Sequence, residues 1–133
     1  MRILAAADLH GKHEVYEWLV AVAAARDPDV VVLAGDLLGF PHGYDTVAAA
    51  QAADRELVLK HLSRLGRPVM YLMGNDDWIE LSAQSADHRS VHGRRLEYGG
   101  FNFVGYQYTL PFMGGVHEKP EEEIRADLAT LEP

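Results

Sequence analysis

Three short apolar runs alternate with two segments of helical periodicity in the first half of the chain. The runs cover residues 3–7, 30–34 and 69–73, and the second of them is Val-Val-Val-Leu-Ala, with no polar residue in it. Unbroken apolar runs of this length are typical of strands that are covered on both faces of a sheet. The order strand, helix, strand, helix, strand therefore predicts an α/β fold with parallel strands.

Both intervening segments carry apolar residues at helical spacing. The first helix is predicted to run from about Lys12 to Arg26, with apolar residues at positions i, i+3, i+4 and i+7. The residues that we expect on its buried face are Val15, Trp18, Leu19 and Val22. The second helix is predicted to begin near Thr46 and to end before Gly66. Its expected buried residues are Val58, Leu62 and Leu65.

The second half of the chain has a different pattern. Residues 95–106 carry aromatic and β-branched residues on either side of a Gly-Gly turn, which predicts a β-hairpin. A final helix is predicted from Pro120 to about Leu131, because proline is favoured in the first turn of a helix. The ambiguous segment from Asp76 to His88 is also assigned to a helix.

The composition limits the partners and the location that we expect. The chain has 12 Lys and Arg residues and 20 Asp and Glu residues, a formal charge of −8, whereas binding to a nucleic-acid backbone requires a positive surface. Its longest apolar run, residues 18–25, is far shorter than the roughly 20 residues of a membrane span. Cysteine is absent, which fits a reducing compartment. We therefore expect a soluble, cytoplasmic protein with no nucleic-acid or membrane partner.

Polar residues follow each of the three predicted strands. Asp8 and His10 come after the first strand, Asp36 after the second, and Asn75 and Asp76 after the third. The carboxyl ends of parallel strands meet at one edge of the sheet, where open α/β sheets build their sites. Residues i and i+2 of an extended chain point to the same side, so Asp8 and His10 can face one point. We expect these side chains to converge at that edge.

Carboxylate, imidazole and amide groups together indicate a metal site. Because the chain has no thiolate, the donor set suits Mn²⁺, iron, Zn²⁺ or Ni²⁺. Each motif alone is common in turns and helix caps, and it is their occurrence in order at three strand ends that predicts a shared site. Without a cation, the carboxylates of Asp8, Asp36, Asp76 and Asp77 would repel one another, and their pKa values should rise.

This ordered set resembles the motifs of the calcineurin-like metallophosphoesterases, which are D-x-H, G-D and G-N-x-D. The matching segments are Asp8-Leu9-His10, Gly35-Asp36 and Gly74-Asn75-Asp76-Asp77. The resemblance implies an α/β sandwich of mixed sheets flanked by helices, of which residues 1–133 would be the N-terminal portion, incomplete at the C-terminus. It also implies a site for two divalent metals, with Mn²⁺ as the expected ion. Asp8 and His10 would hold the first metal, Asp36 would bridge both, and Asn75 would hold the second.

Two departures from the family pattern affect the expected activity. Asp76 stands where many members have a histidine that contacts the leaving group, so its own role is open, while Asp77 matches the acid that supports this loop. The later histidine and the G-H-x-H motif of the family do not occur in the sequence. The chain would then be a truncated protein, one partner of a split protein, or a naturally short member.

The remaining histidines do not replace the missing motifs. His88, His92 and His117 follow the third motif, but none of them is preceded by glycine. We expect His92 at a strand end and His117 on the surface. His42 lies in a Gly- and Pro-rich loop that should overhang the site, and there it would contact the substrate.

The resemblance implies hydrolysis of a phosphomonoester or phosphodiester, with a metal-bridging hydroxide as nucleophile and with Asp36, Asn75 and Asp76 as catalytic residues. Full activity would need the absent histidines. The alternative is a non-catalytic, protein-binding module on the same fold. Other phosphotransfer folds need D-x-D, Gly-Lys-Ser/Thr or G-x-G-x-x-G motifs, which the chain lacks at the required places. Since a missing half would leave apolar strands uncovered, we expect a homodimer or a complex with a complementary chain.

Overall fold

The computed structural model describes residues 1–83 and 85–131 as an α/β fold. The elements are β1 (Ile3–Ala6), α1 (His13–Arg26), β2 (Val30–Ala34), α2 (Val47–Ser63), β3 (Val69–Leu72), β4 (His88–Ser90), β5 (Arg94–Tyr98), β6 (Phe101–Gly105) and α3 (Glu121–Ala129). The strands β1 to β4 form a parallel sheet in the order β1-β2-β3-β4, and β5 pairs with β6 in an antiparallel hairpin. The predicted fold class, with parallel strands and helical crossovers, is confirmed.

Alternate residues of the central strands pack against different layers. Val31 and Leu33 of β2 face a core that also contains the buried residues of α1 and α2. Their neighbour Val30, together with Met70 of β3, packs against Leu96 and other residues of the hairpin. The central strands β2 and β3 are therefore covered by the two helices on one face of the sheet and by the β5–β6 hairpin on the other. This is why its strands lack a polar alternation.

The buried face of α2 is the predicted one, whereas that of α1 is rotated. Val58 and Leu62 of α2 are fully buried, but Trp18 of α1 is 62% exposed. The buried residues of α1 are Tyr16, Leu19 and Ala23. Tyr16 is drawn inward because its hydroxyl donates to the Leu37 carbonyl oxygen at 2.8 Å. The predicted face was wrong because the apolar spacing at Val15 and Trp18 carries no information about this bond between α1 and the loop after β2.

The helix predicted over Asp76 to His88 is not formed in the described part of that segment, and Gln84 lies outside the described residues. The first residues of this segment bond to other elements, since the Asp76 amide donates to Asp36 and the Trp78 amide donates to Gln51. The segment leads into β4, which pairs in parallel with β3 and which the sequence analysis missed. Because β4 is only three residues long and reads His-Arg-Ser, it lacks an apolar signal.

The hairpin and the final helix lie where they were predicted. The turn between β5 and β6 is Gly99-Gly100, and both glycines have positive φ angles, of 58° and 78°. The helix α3 begins after Pro120 and ends at Ala129. None of the helices in residues 1–83 and 85–131 combines the length and the apolar character that crossing a bilayer requires.

Candidate metal centre

The loops after β1 and β2 are joined by backbone hydrogen bonds beyond the ends of the strands. The amide of Asp8 donates to the Gly35 oxygen at 3.1 Å, and the amide of His10 donates to the Asp36 oxygen at 2.8 Å. The amide of Gly11 donates to the Leu37 oxygen at 3.1 Å. These bonds extend the pairing of the two strands into the loops and fix the side chains of Asp8, His10 and Asp36 relative to one another.

The same three residues have left-handed backbone conformations. The φ angles are 56° for Asp8, 45° for His10 and 53° for Asp36. Asp and His tolerate this region better than most residues, but it still costs on the order of 1 kcal/mol at each position. The neighbouring bonds must hold the chain in this conformation, and strain of this kind is typical of functional sites.

Close packing against the third loop explains a glycine of the motif. A Cβ atom on Gly74 would overlap the carboxylate and the amide of Asp36. A Cβ atom on Gly35, whose φ is 89°, would lie 3.0 Å from the Gly74 Cα. Any side chain at position 74 would therefore displace Asp36, so the geometry of the site requires glycine at this position.

The structure brings Asp8, His10 and Asp36 together. One ligand atom from each lies within 4.8 Å of the other two. His10 Nε2 is 3.9 Å from an oxygen of Asp8 and 3.9 Å from an oxygen of Asp36. These separations are too long for hydrogen bonds. They suit donors around one cation, because ligand bonds of about 2.0–2.2 Å place neighbouring donors roughly 3–4 Å apart. The donor set therefore fits a divalent metal ion.

The third loop adds Asp76 to this cluster. The Asp76 amide donates to Asp36 Oδ1 at 2.9 Å, and its carboxylate lies 3.6 Å from His10 Nδ1. The Asn75 amide group donates to Asp76 Oδ1 at 3.2 Å and contacts the sulfur of Met113 at 3.4 Å. Asn75 thus lies on the rim of the cluster, and its role as a ligand for a second metal stays a prediction. The sequence does not predict the contact with Met113, because an apolar loop contains no residue type that indicates a metal ligand.

Asp36 is the buried acid of the cluster. Its side chain is 12% exposed, compared with 73% for Asp8. Burial raises the pKa of Asp36, and the nearby carboxylates of Asp76 and Asp8 raise it further, against the opposing hydrogen bond from the Asp76 amide. The predicted rise is thus present at Asp36, with burial as its main cause. A cation beside Asp36 would remove this cost by pairing with the ionised form.

A family model described as calcineurin-like phosphoesterase matches residues 1–126. The chain belongs to the calcineurin-like phosphoesterase family. The resemblance inferred from the three motifs is confirmed. Among curated proteins, none matches the chain in sequence.

Two solved structures share the fold of this calcineurin-like chain. The crystal structure of TT1561 from Thermus thermophilus has a TM-score of 0.75 and 21% sequence identity, and the match covers 98% of this chain and 61% of that one. A second crystal structure has a TM-score of 0.77 and 16% identity, over 99% of this chain and 65% of that one. The chain thus spans less than two thirds of the length of these proteins.

Asp77 stabilises two loops of the site in this calcineurin-like chain. It is fully buried, and it accepts hydrogen bonds from the amides of Leu37 at 3.0 Å, Leu38 at 2.9 Å and Gly74 at 2.8 Å. Burial raises its pKa, while the three amide donors oppose that rise. One carboxylate therefore links the loop that carries Asp36 to the loop that carries Asn75, as the family motif implied.

Replacement of Asp77 by alanine should strongly destabilise the protein. The variant leaves three buried amides without acceptors, so we expect the free energy of unfolding to fall by about 3 kcal/mol. Urea denaturation without metal measures this change. Asp87→Ala, at an exposed position just before β4, is the control and should change stability by less than about 0.5 kcal/mol. Equal midpoints for the two variants would contradict this role of Asp77.

The histidines outside the D-x-H motif do not complete the metal cluster. His117 is buried rather than on the surface, and its Nδ1 lies 2.9 Å from the Gly74 carbonyl oxygen. The expectation of a surface position was wrong because a Gly-rich loop folds back against the third site loop. His92 accepts from the Gln107 amide at 3.3 Å next to β6. His42 is exposed, and its contact with substrate stays a prediction.

Proposed function

We propose that this chain carries the ligand-bearing part of a metallophosphoesterase site that hydrolyses a phosphomonoester or a phosphodiester. The observation that carries the proposal is the convergence of Asp8, His10 and Asp36 at the carboxyl edge of a parallel sheet, in a member of this family. The donors have the separations that a divalent cation needs, and the backbone is strained to hold them there.

The side chains have distinct roles in this proposal. Bound divalent cations, with Mn²⁺ the ion proposed, supply Lewis acidity and activation of water. Asp8 and His10 would hold one cation, Asp36 would be shared by two, and Asn75 would hold the other. Asp36 suits the shared position because it lies between the first and third loops, with His10 Nε2 at 3.9 Å on one side and the Asp76 amide at 2.9 Å on the other.

Asp76 has a positioning role in the proposed site. Its carboxylate lies 3.6 Å from His10 Nδ1, whereas Nε2 of the same ring faces Asp8 and Asp36. A carboxylate near Nδ1 favours the tautomer that carries its proton there, which leaves the Nε2 lone pair directed at the cation. An aspartate in place of the family's histidine can therefore serve metal binding without donating a proton to the leaving group.

Mn²⁺ should raise the melting temperature of the protein. Binding to the folded state alone contributes about 2.7 kcal/mol at a hundredfold excess over Kd, which corresponds to a shift of about 10 °C. Differential scanning fluorimetry from micromolar to millimolar Mn²⁺ measures the effect, with Na⁺ at matched ionic strength as control. A melting temperature that does not move at millimolar Mn²⁺ would show that these residues do not form a metal site.

A second candidate function is a non-catalytic, protein-binding module on the same fold. It is favoured by apolar side chains that lie exposed beside the site, such as Phe112, which is 67% exposed, and Val116, which is 50% exposed. Turnover of a chromogenic phosphodiester with Mn²⁺, in the presence of a polypeptide that carries the G-H-x-H segment, separates the two candidates. An enzyme hydrolyses it, and a binding module binds Mn²⁺ without turnover.

A further inference from the structure

The helix α2 carries two buried polar side chains that point at the loops of the metal centre. Gln51 is 0% exposed and Asp54 is 3% exposed, although both residue types are usually found on the surface. They are three residues apart and therefore lie on the same face of the helix, one turn from each other. Neither belongs to a motif of the family, and the metal cluster does not contain them.

Gln51 holds the loop that follows β3. Its Nε2 donates to the Asp76 carbonyl oxygen at 2.7 Å, and its Oε1 accepts from the Trp78 amide at 2.7 Å. Only a side-chain amide can donate and accept in this way, so no apolar residue and no carboxylate reproduces both bonds. The two bonds fix the backbone on either side of Asp77 and with it the direction of Asn75 and Asp76.

Asp54 bonds to the loop after β2 and to the start of α1. Its Oδ2 accepts from the Gly39 amide at 2.7 Å, within the loop that carries Asp36, and its Oδ1 lies 2.8 Å from His13 Nε2. His13 is the first residue of α1 and follows the loop that carries His10. The packing around Asp54 is tight, because a Cβ atom on Gly11 would lie 2.5 Å from Oδ2.

We propose that Gln51 and Asp54 are positioning residues that set the geometry of the metal centre from α2. This inference rests on the proposed function. Apolar side chains at both positions would leave the amides of Gly39 and Trp78 without these acceptors, so the two loops depend on polar groups supplied by α2. Gln51 bonds to the loop after β3. Asp54 bonds to the loop after β2 and to His13, the first residue of α1, which follows the loop after β1. Loss of either residue should therefore loosen those loops and weaken metal binding.

The test compares Mn²⁺ affinity across matched variants. Gln51→Met keeps the volume and the helix propensity but loses both loop bonds, and Asp54→Ala loses the bonds to Gly39 and His13. Asp54→Asn retains an oxygen for the Gly39 amide and an NH₂ group for a neutral His13, so it should rescue the alanine variant. Thr46→Ala is the control, because it removes the N-cap bond of α2, in which the Thr46 side chain accepts from the Ala49 amide, and leaves the bonds of Gln51 and Asp54 in place.

We expect Gln51→Met and Asp54→Ala to raise the Kd for Mn²⁺ by about tenfold or more, as the loss of outer partners of metal ligands does. Thr46→Ala and Asp54→Asn should stay within about twofold of wild type. Titration followed by electron paramagnetic resonance of free Mn²⁺, at a temperature where all variants are folded, gives these constants. If Gln51→Met and Asp54→Ala bind Mn²⁺ as tightly as Thr46→Ala, the proposal is overturned.

A second measurement separates this proposal from the proposed function. Hydrogen exchange of the Asp76 and His10 amides, which bond to Asp36 and not to α2, reports the order of the site without metal. Faster exchange at Asp76 in Gln51→Met and at His10 in Asp54→Ala, but at neither amide in Thr46→Ala, supports positioning even if wild type binds no Mn²⁺. Unchanged exchange at both amides overturns it. If Gln51→Met does not fold, the Asp54 variants decide.

Discussion

Asp36→Ala should abolish specific Mn²⁺ binding, whereas Asn75→Ala should leave one binding site. In the proposed centre Asp36 contacts both cations, so its loss removes a ligand from each, while Asn75 serves only one. Asp36 is also the buried acid of the cluster. Burial disfavours its ionised form, so a neighbouring cation would stabilise the Asp36 carboxylate more than the exposed carboxylate of Asp8. Isothermal titration calorimetry, together with elemental analysis of the dialysed protein, gives the affinity and the number of bound ions.

The fold should survive this substitution. Asp36→Ala removes the acceptor of the Asp76 amide, which costs about 1 kcal/mol, but it also relieves repulsion with Asp8 and Asp76. Alanine tolerates the φ of 53° at this position less well than aspartate, so the variant should lose about a further 1 kcal/mol of stability. Binding is therefore measured well below the unfolding midpoint of the variant, where lost binding reflects lost ligands. The exposed variant Asp87→Ala is the binding control. Equal metal content in wild type and Asp36→Ala, at matched free Mn²⁺, would contradict the bridging role.

The sequence is informative about this edge of the sheet for a simple physical reason. A strand covered on both faces is apolar throughout, as in Val30–Ala34, and a polar residue can follow it only where the sheet ends. The pattern alone therefore places Asp8, Asp36 and Asp76 at one edge. Their convergence follows from parallel pairing, because parallel strands in register end side by side.

The parts that could not be predicted depend on contacts between distant segments. His117 and Gln51 are ordinary polar residues in the sequence, and only the fold shows that they bond to Gly74 and to Asp76. The left-handed backbone at Asp8 and Asp36 likewise has no local signal, since it is maintained by pairing between loops. Short-range periodicity carries no information about such contacts, which is also why β4 was missed.

Apolar surface on two elements of this chain motivates a prediction about assembly. Among the described residues β1 pairs only with β2, so its other edge is open, and Ile3 in that strand is 50% exposed. In the hairpin, Phe101 is 56% exposed and Val104 is 46% exposed. Open strand edges and adjoining apolar side chains recruit other chains. We expect the protein to form a homodimer or a tight complex with a complementary chain, which sedimentation velocity at micromolar concentration would detect.

Hydrolysis should depend on such a complement. The candidate site brings together Asp8, His10 and Asp36 from the loops after β1 and β2, while the histidines of the later family motifs do not occur in the sequence. We therefore expect little turnover of a chromogenic phosphodiester by this chain with Mn²⁺, and at least about a hundredfold increase when a polypeptide with the G-H-x-H segment is added in trans. Asp36→Ala mixed with the same complement is the control and should stay inactive. A stable monomer that hydrolyses phosphoesters unaided would show that other residues of this chain complete the site.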